Sequence, residues 1–164
     1  MQRIALFPGT FDPVTFGHLD IIERSLSLFD KVIIGIGVNA NKAPLFSEEQ
    51  RISWLQDLFR NEARVESVTY EGLTVECCKK VGATHIRRGI RYVNDFEYEK
   101  AIADMNRSLD GHIETVFLTC LPKYTSVAST LVRDVIRNGG DVSQFVPDVV
   151  LKTIRKTSYT HAIA

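Results

Sequence analysis

Along this chain, short apolar runs alternate with longer stretches in which apolar residues recur at helical spacing. The runs Ile4–Phe7, Val32–Val38, Val65–Tyr70, His85–Arg88 and Thr115–Cys120 are rich in β-branched and aliphatic side chains. Several lack strict alternation, which is how strands covered on both faces read. Between them, Gly17–Phe29 puts Leu19, Ile22, Leu26 and Phe29 on one face. Ser47–Arg60 opens with Ser47 and Gln50 as a capping box and turns Ile52, Leu55 and Phe59 inward. Leu73–Val81, Asp95–Ser108 and Ser129–Asn138 continue the alternation; Gly139-Gly140 stops the last, and a terminal helix starts near Pro147-Asp148. This order predicts an α/β fold, one five-stranded parallel sheet with helices on both faces, whose ligands bind beyond the carboxyl ends of the strands.

The loops at those ends are rich in groups that suit phosphate. The first strand is expected to break at Pro8-Gly9 and the chain to re-enter a helix near Gly17-His18, whose unpaired N–H groups and positive dipole end would face an anion. Later loops bring Asn39 through Lys42, then Arg88-Gly89-Ile90-Arg91, then Tyr124-Thr125-Ser126-Val127-Ala128-Ser129-Thr130 at a helix start. A polyphosphate needs distributed positive charge, hydroxyl donors and a helix amino terminus, and these loops offer them together. Taken singly, each residue also has an ordinary reading. His18 can be structural, Thr10 a turn hydroxyl, Lys42 a solvated lysine and the Arg87–Arg91 run a solvated face with Arg87 structural or exposed. Nothing local separates Glu99 from Glu97.

Composition narrows the class of ligand. A chain of 164 residues, 45% hydrophobic and 24% charged, suits one domain spanning 1–164 with a core of its own and a tail, 157–164, free to fray. Lys plus Arg balance Asp plus Glu at 20 each, so no global basic field draws a nucleic acid and the ligand is expected to be small. No stretch approaches the ~20 apolar residues of a membrane span, and Met1-Gln2-Arg3-Ile4 does not open a secretory signal. A soluble, cytoplasmic protein with no membrane partner is expected. Cys77, Cys78 and Cys120 show no metal-ligand spacing and read as small apolar residues.

Pro8-Gly9-Thr10-Phe11-Asp12-Pro13 followed by Thr15-Phe16-Gly17-His18 resembles the signature of the nucleotidyltransferase superfamily. From residue 1 to about residue 155, in four separated segments, the chain is similar to the bacterial phosphopantetheine adenylyltransferases. The resemblance implies a Rossmann-like fold and transfer of the adenylyl group of ATP to 4′-phosphopantetheine, giving dephospho-coenzyme A and pyrophosphate. It implies catalytic roles for His18, Lys42, Arg91 and Thr10. It assigns ATP contacts to Thr10, Phe11, His18, Gly89, Ile90, Arg91, Glu99 and Tyr124, Thr125, Ser126, Val127, Ala128, Ser129 and Thr130. Thr10, Lys42, Thr74 and Arg88 would hold the phosphopantetheine substrate. The same resemblance implies Mg2+ on the ATP phosphates, with no protein carboxylate cage evident, a homohexamer, and feedback inhibition by coenzyme A.

Two positions depart from the family pattern. Val127-Ala128-Ser129-Thr130-Leu131-Val132 stands where the family shows a run of serines, so one hydroxyl is lost, and Thr74 stands where a larger apolar residue is usual. The signature also serves enzymes that activate glycerol phosphate with CTP or nicotinate mononucleotide with ATP. Arg88-Gly89-Ile90-Arg91 and the placement of Lys42 favour the phosphopantetheine branch. A nucleotide sensor without turnover is the reading of a different class.

Overall fold

The computed structural model describes residues 2–38 and 43–157. Its strands are β1 (Ile4–Gly9), β2 (Lys31–Gly37), β3 (Val65–Tyr70), β4 (His85–Ile90) and β5 (Glu114–Thr119). Its α-helices are α1 (Phe16–Ser25), α2 (Glu48–Leu58), α3 (Thr74–Val81), α4 (Val93–Leu109), α5 (Ser129–Arg137) and α6 (Asp148–Thr157). The strands form one parallel sheet in the order β3-β2-β1-β4-β5. Chain order runs outward from β1 in one direction and then resumes on its other side at β4, so the sheet's topological switch lies between β1 and β4.

The uninterrupted apolar runs follow from cover on both faces. Ala5 and Phe7 of β1, with Val32, Ile34 and Ile36 of β2, join α1, α2, α5 and α6 in the larger core. Leu6, Ile33 and Ile86 point the other way, into a smaller core with Val75, Cys77 and Cys78 of α3. All three cysteines are free thiols, and burial pushes Cys78 up to about 12. The inert, apolar role expected of them holds for this residue.

The first strand and helix differ from the sequence expectation. β1 does not break at Pro8-Gly9 but stays in register with β2 through Pro8↔Gly35 and Gly9↔Ile36. With β4 it pairs only at Ala5↔His85 and Leu6↔Ile86, so Pro8 costs no ladder bond on the side where the strands have already parted. α1 begins at Phe16, because Thr15 rather than a residue nearer Gly17 supplies the cap, and it ends at Ser25, short of Phe29. α4 starts at Val93, two residues ahead of the acidic turn that marks it in the sequence.

Arg87 departs furthest from an ordinary surface arginine. Its side chain is fully buried on β4, and none of its guanidinium nitrogens has a hydrogen-bond partner among the described residues. The cation lies 5.1 Å from the centroid of the Phe7 ring. Burial, and then Arg24, pull its pKa down to about 9, while Asp20 acts in the opposite sense. An uncompensated buried charge is destabilising, and an apolar side chain of similar reach removes that penalty. Arg87→Met is expected to stabilise the fold by about 1–4 kcal/mol, raising the thermal midpoint by about 2–4 °C per kcal/mol. Circular-dichroism melting checks this, and a lowered midpoint would show that the guanidinium is well compensated in solution.

Candidate active site

Past Leu6 and Ile86 the backbones of β1 and β4 no longer pair, and the Arg88 side chain bridges the gap by donating from Nη1 to the Pro8 carbonyl at 2.8 Å. A cavity of about 1460 Å³ opens at these carboxyl ends. It exceeds the ~300–1,000 Å³ usual for one small molecule, so two substrates can share it. Its wall includes Thr10, Phe11, His18, Thr74, Arg88, Gly89, Arg91, Glu99, Val127, Ala128, Ser129 and Thr130. The phosphate-compatible loops after β1, after β4 and before α5 therefore meet in one hollow, while Asn39 through Lys42 lie outside the described residues.

His18 is built into the start of α1. Thr15 caps the helix, and the backbone N–H of Thr15 donates to His18 Nδ1 at 3.1 Å, completing a capping box with an imidazole in the place usually held by Glu or Gln. An Nδ1 that accepts leaves the ring proton of the neutral tautomer on Nε2. Burial first, then Arg91 and Arg88, pull the pKa of His18 down to about 4, so at neutral pH the ring is an uncharged N–H donor. The helix N–H groups themselves are largely spent: Phe16 donates to the Phe145 carbonyl and His18 to Thr15. What α1 offers an anion is the imidazole together with the N–H of Gly17, which donates to no described residue and lies on the cavity wall.

The Thr10–Pro13 loop is held from two sides. Phe11 adopts a positive φ of 48°, which for a bulky side chain costs about 1–3 kcal/mol. Its ring packs edge-on to Phe7 at 5.5 Å and against His18 at 5.0 Å, and also covers Gly9, where a Cβ would meet it at 3.0 Å. The buried Asp12 carboxylate accepts the N–H groups of Phe46 and Leu45, both at 2.9 Å. Arg51 of α2 donates to the Thr10 carbonyl at 2.8 Å, and from α5 Arg133 donates to that of Asp12 at 2.5 Å and Ser129 to that of Pro13 at 2.8 Å.

The cations on the wall are already oriented. Arg88 grips Glu99 through Nε and Nη2, the Nε bond being 2.6 Å, and Arg91 pairs with Asp95 at 3.1 Å. Glu99, indistinguishable from Glu97 in the sequence, thus stands out as the partner of Arg88. Thr74 shares a 3.1 Å hydrogen bond with the Tyr70 hydroxyl, whose pKa burial raises. Ala128 precedes α5 without any side-chain cap. The N–H groups of Ser129 and Thr130 donate to no described residue, so the lost hydroxyl leaves that helix start open to an anion.

Among the sequence-predicted residues, Ile90 ends β4 in the interior, and Tyr124, Thr125 and Ser126 are not on the cavity wall; Tyr124 backs Gly17 instead. Lys42 lies outside the described residues. Sequence reasoning passed over Arg51 and Arg133, both on the wall. Each has a legible signal: Arg51, Trp54, Leu55 and Leu58, and likewise Ser129, Val132, Arg133 and Ile136, fall at the spacing of one inward helix face.

Comparison with known proteins agrees with this geometry. The cytidylyltransferase-like family model matches residues 6–135. A curated Flavobacterium psychrophilum protein named phosphopantetheine adenylyltransferase is 53% identical over 149 residues, covering 91% of this chain and 98% of its own length. One of the same name from Bacteroides thetaiotaomicron is 47% identical over 147 residues, covering 90% and 97%. A Vibrio parahaemolyticus crystal structure, provisionally assigned as a nicotinate-nucleotide adenylyltransferase, superposes with a TM-score of 0.69 at 20% identity, covering 97% of this chain and 96% of its own, and shares the fold. The motif loop, the strand split and the relatives agree: this chain is a member of the cytidylyltransferase-like nucleotidyltransferases and, within them, of the phosphopantetheine adenylyltransferase family.

Proposed function

We propose that the chain transfers the adenylyl group of ATP to the phosphate of 4′-phosphopantetheine. The supporting observation is the neutral His18 donor at the mouth of the β1/β4 split, in one cavity with Thr10, Arg88 and Arg91. A phosphate oxygen of the acceptor attacks the α-phosphorus of ATP. A new P–O bond forms as the α–β bridging bond breaks, and pyrophosphate leaves with that bridging oxygen. The acceptor phosphate is already an anion near neutral pH, so no protein base has to deprotonate it. Rate acceleration comes from aligning two mutually repelling phosphates and from donors aimed at the charge on the transferring group. His18 Nε2–H and Arg91 serve that charge, Arg88 and Thr10 hold the acceptor phosphate, and the open start of α5 and the Gly89–Arg91 segment hold the nucleotide. Lys42 joins them on the strength of the family motif.

Magnesium, in this reading, arrives as the metal complex of ATP. Among the described residues no group of three His, Cys, Asp or Glu side chains is placed to cage a metal, and no step requires a protein-held ion. Among them, too, no helix is long and apolar enough to cross a membrane, in keeping with a cytoplasmic enzyme. Coenzyme A carries the same adenine and pantetheine halves as the product and is assigned here as a feedback inhibitor. The homohexamer finds support on α4, which buries none of its residues and exposes Val93, Phe96, Tyr98, Met105 and Leu109.

Incubation with ATP and 4′-phosphopantetheine is expected to yield dephospho-coenzyme A by mass spectrometry, with equimolar pyrophosphate. In the same assay His18→Ala is expected to lower kcat by about 10²–10³-fold with a much smaller effect on the KM for ATP; unchanged turnover would remove His18 from its role. Arg88→Ala is expected to raise the KM for 4′-phosphopantetheine about 10- to 100-fold, more than that for ATP. An equal rise for both substrates would contradict the assignment. Light scattering is expected to give six times the chain mass, and a monomer would rule out the hexamer.

A further inference from the structure

Arg51 is 5% exposed and sits on the cavity wall, yet it has no ion pair among the described residues. The other wall arginines each face a carboxylate: Arg88 faces Glu99, Arg91 faces Asp95, and Arg133 lies 3.6 Å from Asp12. Arg51 instead spends its donors on two main-chain carbonyls, Nη1 on Thr10 at 2.8 Å and Nε on Ser47 at 3.3 Å. A buried guanidinium set against a motif loop rather than an acid is costly to keep unless the loop needs it there.

The Thr10 carbonyl belongs to the Thr10–Phe11 peptide, which is planar and trans, so its oxygen and its N–H point in opposite directions. Drawing the oxygen toward Arg51 puts the Phe11 N–H on the far edge of the same peptide. That N–H donates to no described residue, although the Phe11 residue as a whole is 1% exposed and lines the cavity. The positive φ of Phe11, 48°, and the clamp of its ring between Phe7 and His18 keep the peptide from swinging back. Arg133 makes the analogous bond to the Asp12 carbonyl, but the next nitrogen is that of Pro13 and carries no hydrogen, so of these two arginine bonds the one from Arg51 orients a donor.

We propose that Arg51 is a positioning residue: from α2 it holds the Thr10–Phe11 peptide by its carbonyl, presenting the Phe11 N–H to a phosphate oxygen of the bound nucleotide. This rests on the reading that the cavity binds ATP, and it deepens that reading by adding a main-chain donor whose direction is fixed from a helix outside the motif. Such a donor costs no reorganisation when charge builds on the phosphate.

The test uses the full chain labelled with ¹⁵N and follows the Phe11 amide as ATP alone, or 4′-phosphopantetheine alone, is added. In the wild type the amide proton is expected to move downfield with ATP and to stay in place with the acceptor. Arg51→Met is expected to abolish that shift and to lower kcat/KM for ATP by about 10- to 100-fold, and Arg51→Lys, which keeps a donor, to restore part of both. A wild-type Phe11 amide that ignores saturating ATP, or answers only to the acceptor, overturns the proposal even if Arg51→Met fails to fold. So does an Arg51→Met variant with the full shift and wild-type kcat/KM. Absence of dephospho-coenzyme A from the wild type, with the Phe11 response to ATP intact, would instead count against the proposed reaction and leave the role of Arg51 standing.

Discussion

Parallel strands can bond only while their backbones stay about 4.8 Å apart, and β1 and β4 pair only at Ala5↔His85 and Leu6↔Ile86. Beyond those residues the sheet opens at its topological switch, and everything chemical in the molecule is arranged around that opening. The split lets Pro8 sit in a central strand without breaking a ladder. It frees the Pro8 carbonyl for Arg88, which spans the gap and carries Glu99 of α4 with it. It also gives the motif loop an empty side toward which His18 and Phe11 can turn. A sheet fully paired along this seam would have no cavity at its centre.

Folding and chemistry share the same atoms in this site. One imidazole serves both: Nδ1 closes the cap of α1, and that bond fixes the proton on Nε2, where it can meet an anion. The loop it faces is held by side chains from α2 and α5 at the Thr10, Asp12 and Pro13 carbonyls, so its conformation is set by elements distant in sequence. Preorganisation of this kind is what a transfer between two anions requires, since water would otherwise have to reorient around each new charge. Arg87 belongs to the same neighbourhood through its contact with Phe7, and its unpaired burial is a cost the fold carries within the layer that supports the site.

Much of this was legible in the sequence because it depends on local pattern. Apolar runs without alternation announced strands covered on both faces, Ser47 and Gln50 announced a cap that the structure contains, and the loops at the strand ends announced residues that line one cavity. What was not legible depends on geometry between elements. The continuation of β1 through Pro8 follows from the parting of a strand some eighty residues away, which no local signal reports. The pairing of Arg88 with Glu99 joins a strand to a helix, and from the helix alone Glu97 looked equivalent. Arg51 and Arg133 were visible by spacing, yet an arginine on an apolar helix face reads as noise until a carbonyl is found opposite it.

The central claim is that the cavity presents His18 as a neutral imidazole with its proton on Nε2. Burial and the nearby Arg91 and Arg88 hold its pKa at about 4, against 6.5 for a free imidazole. The folded chain therefore refuses a proton that the unfolded chain accepts as pH falls through 6.5, and the stability tied to this residue is lost between there and about pH 4. Two-dimensional ¹⁵N NMR of the His18 ring across pH 4 to 8 measures this directly. The expected result is a single neutral Nε2–H tautomer that begins to titrate only near pH 4. A ring that takes up its proton near pH 6.5, or rests as the Nδ1–H tautomer, would contradict it.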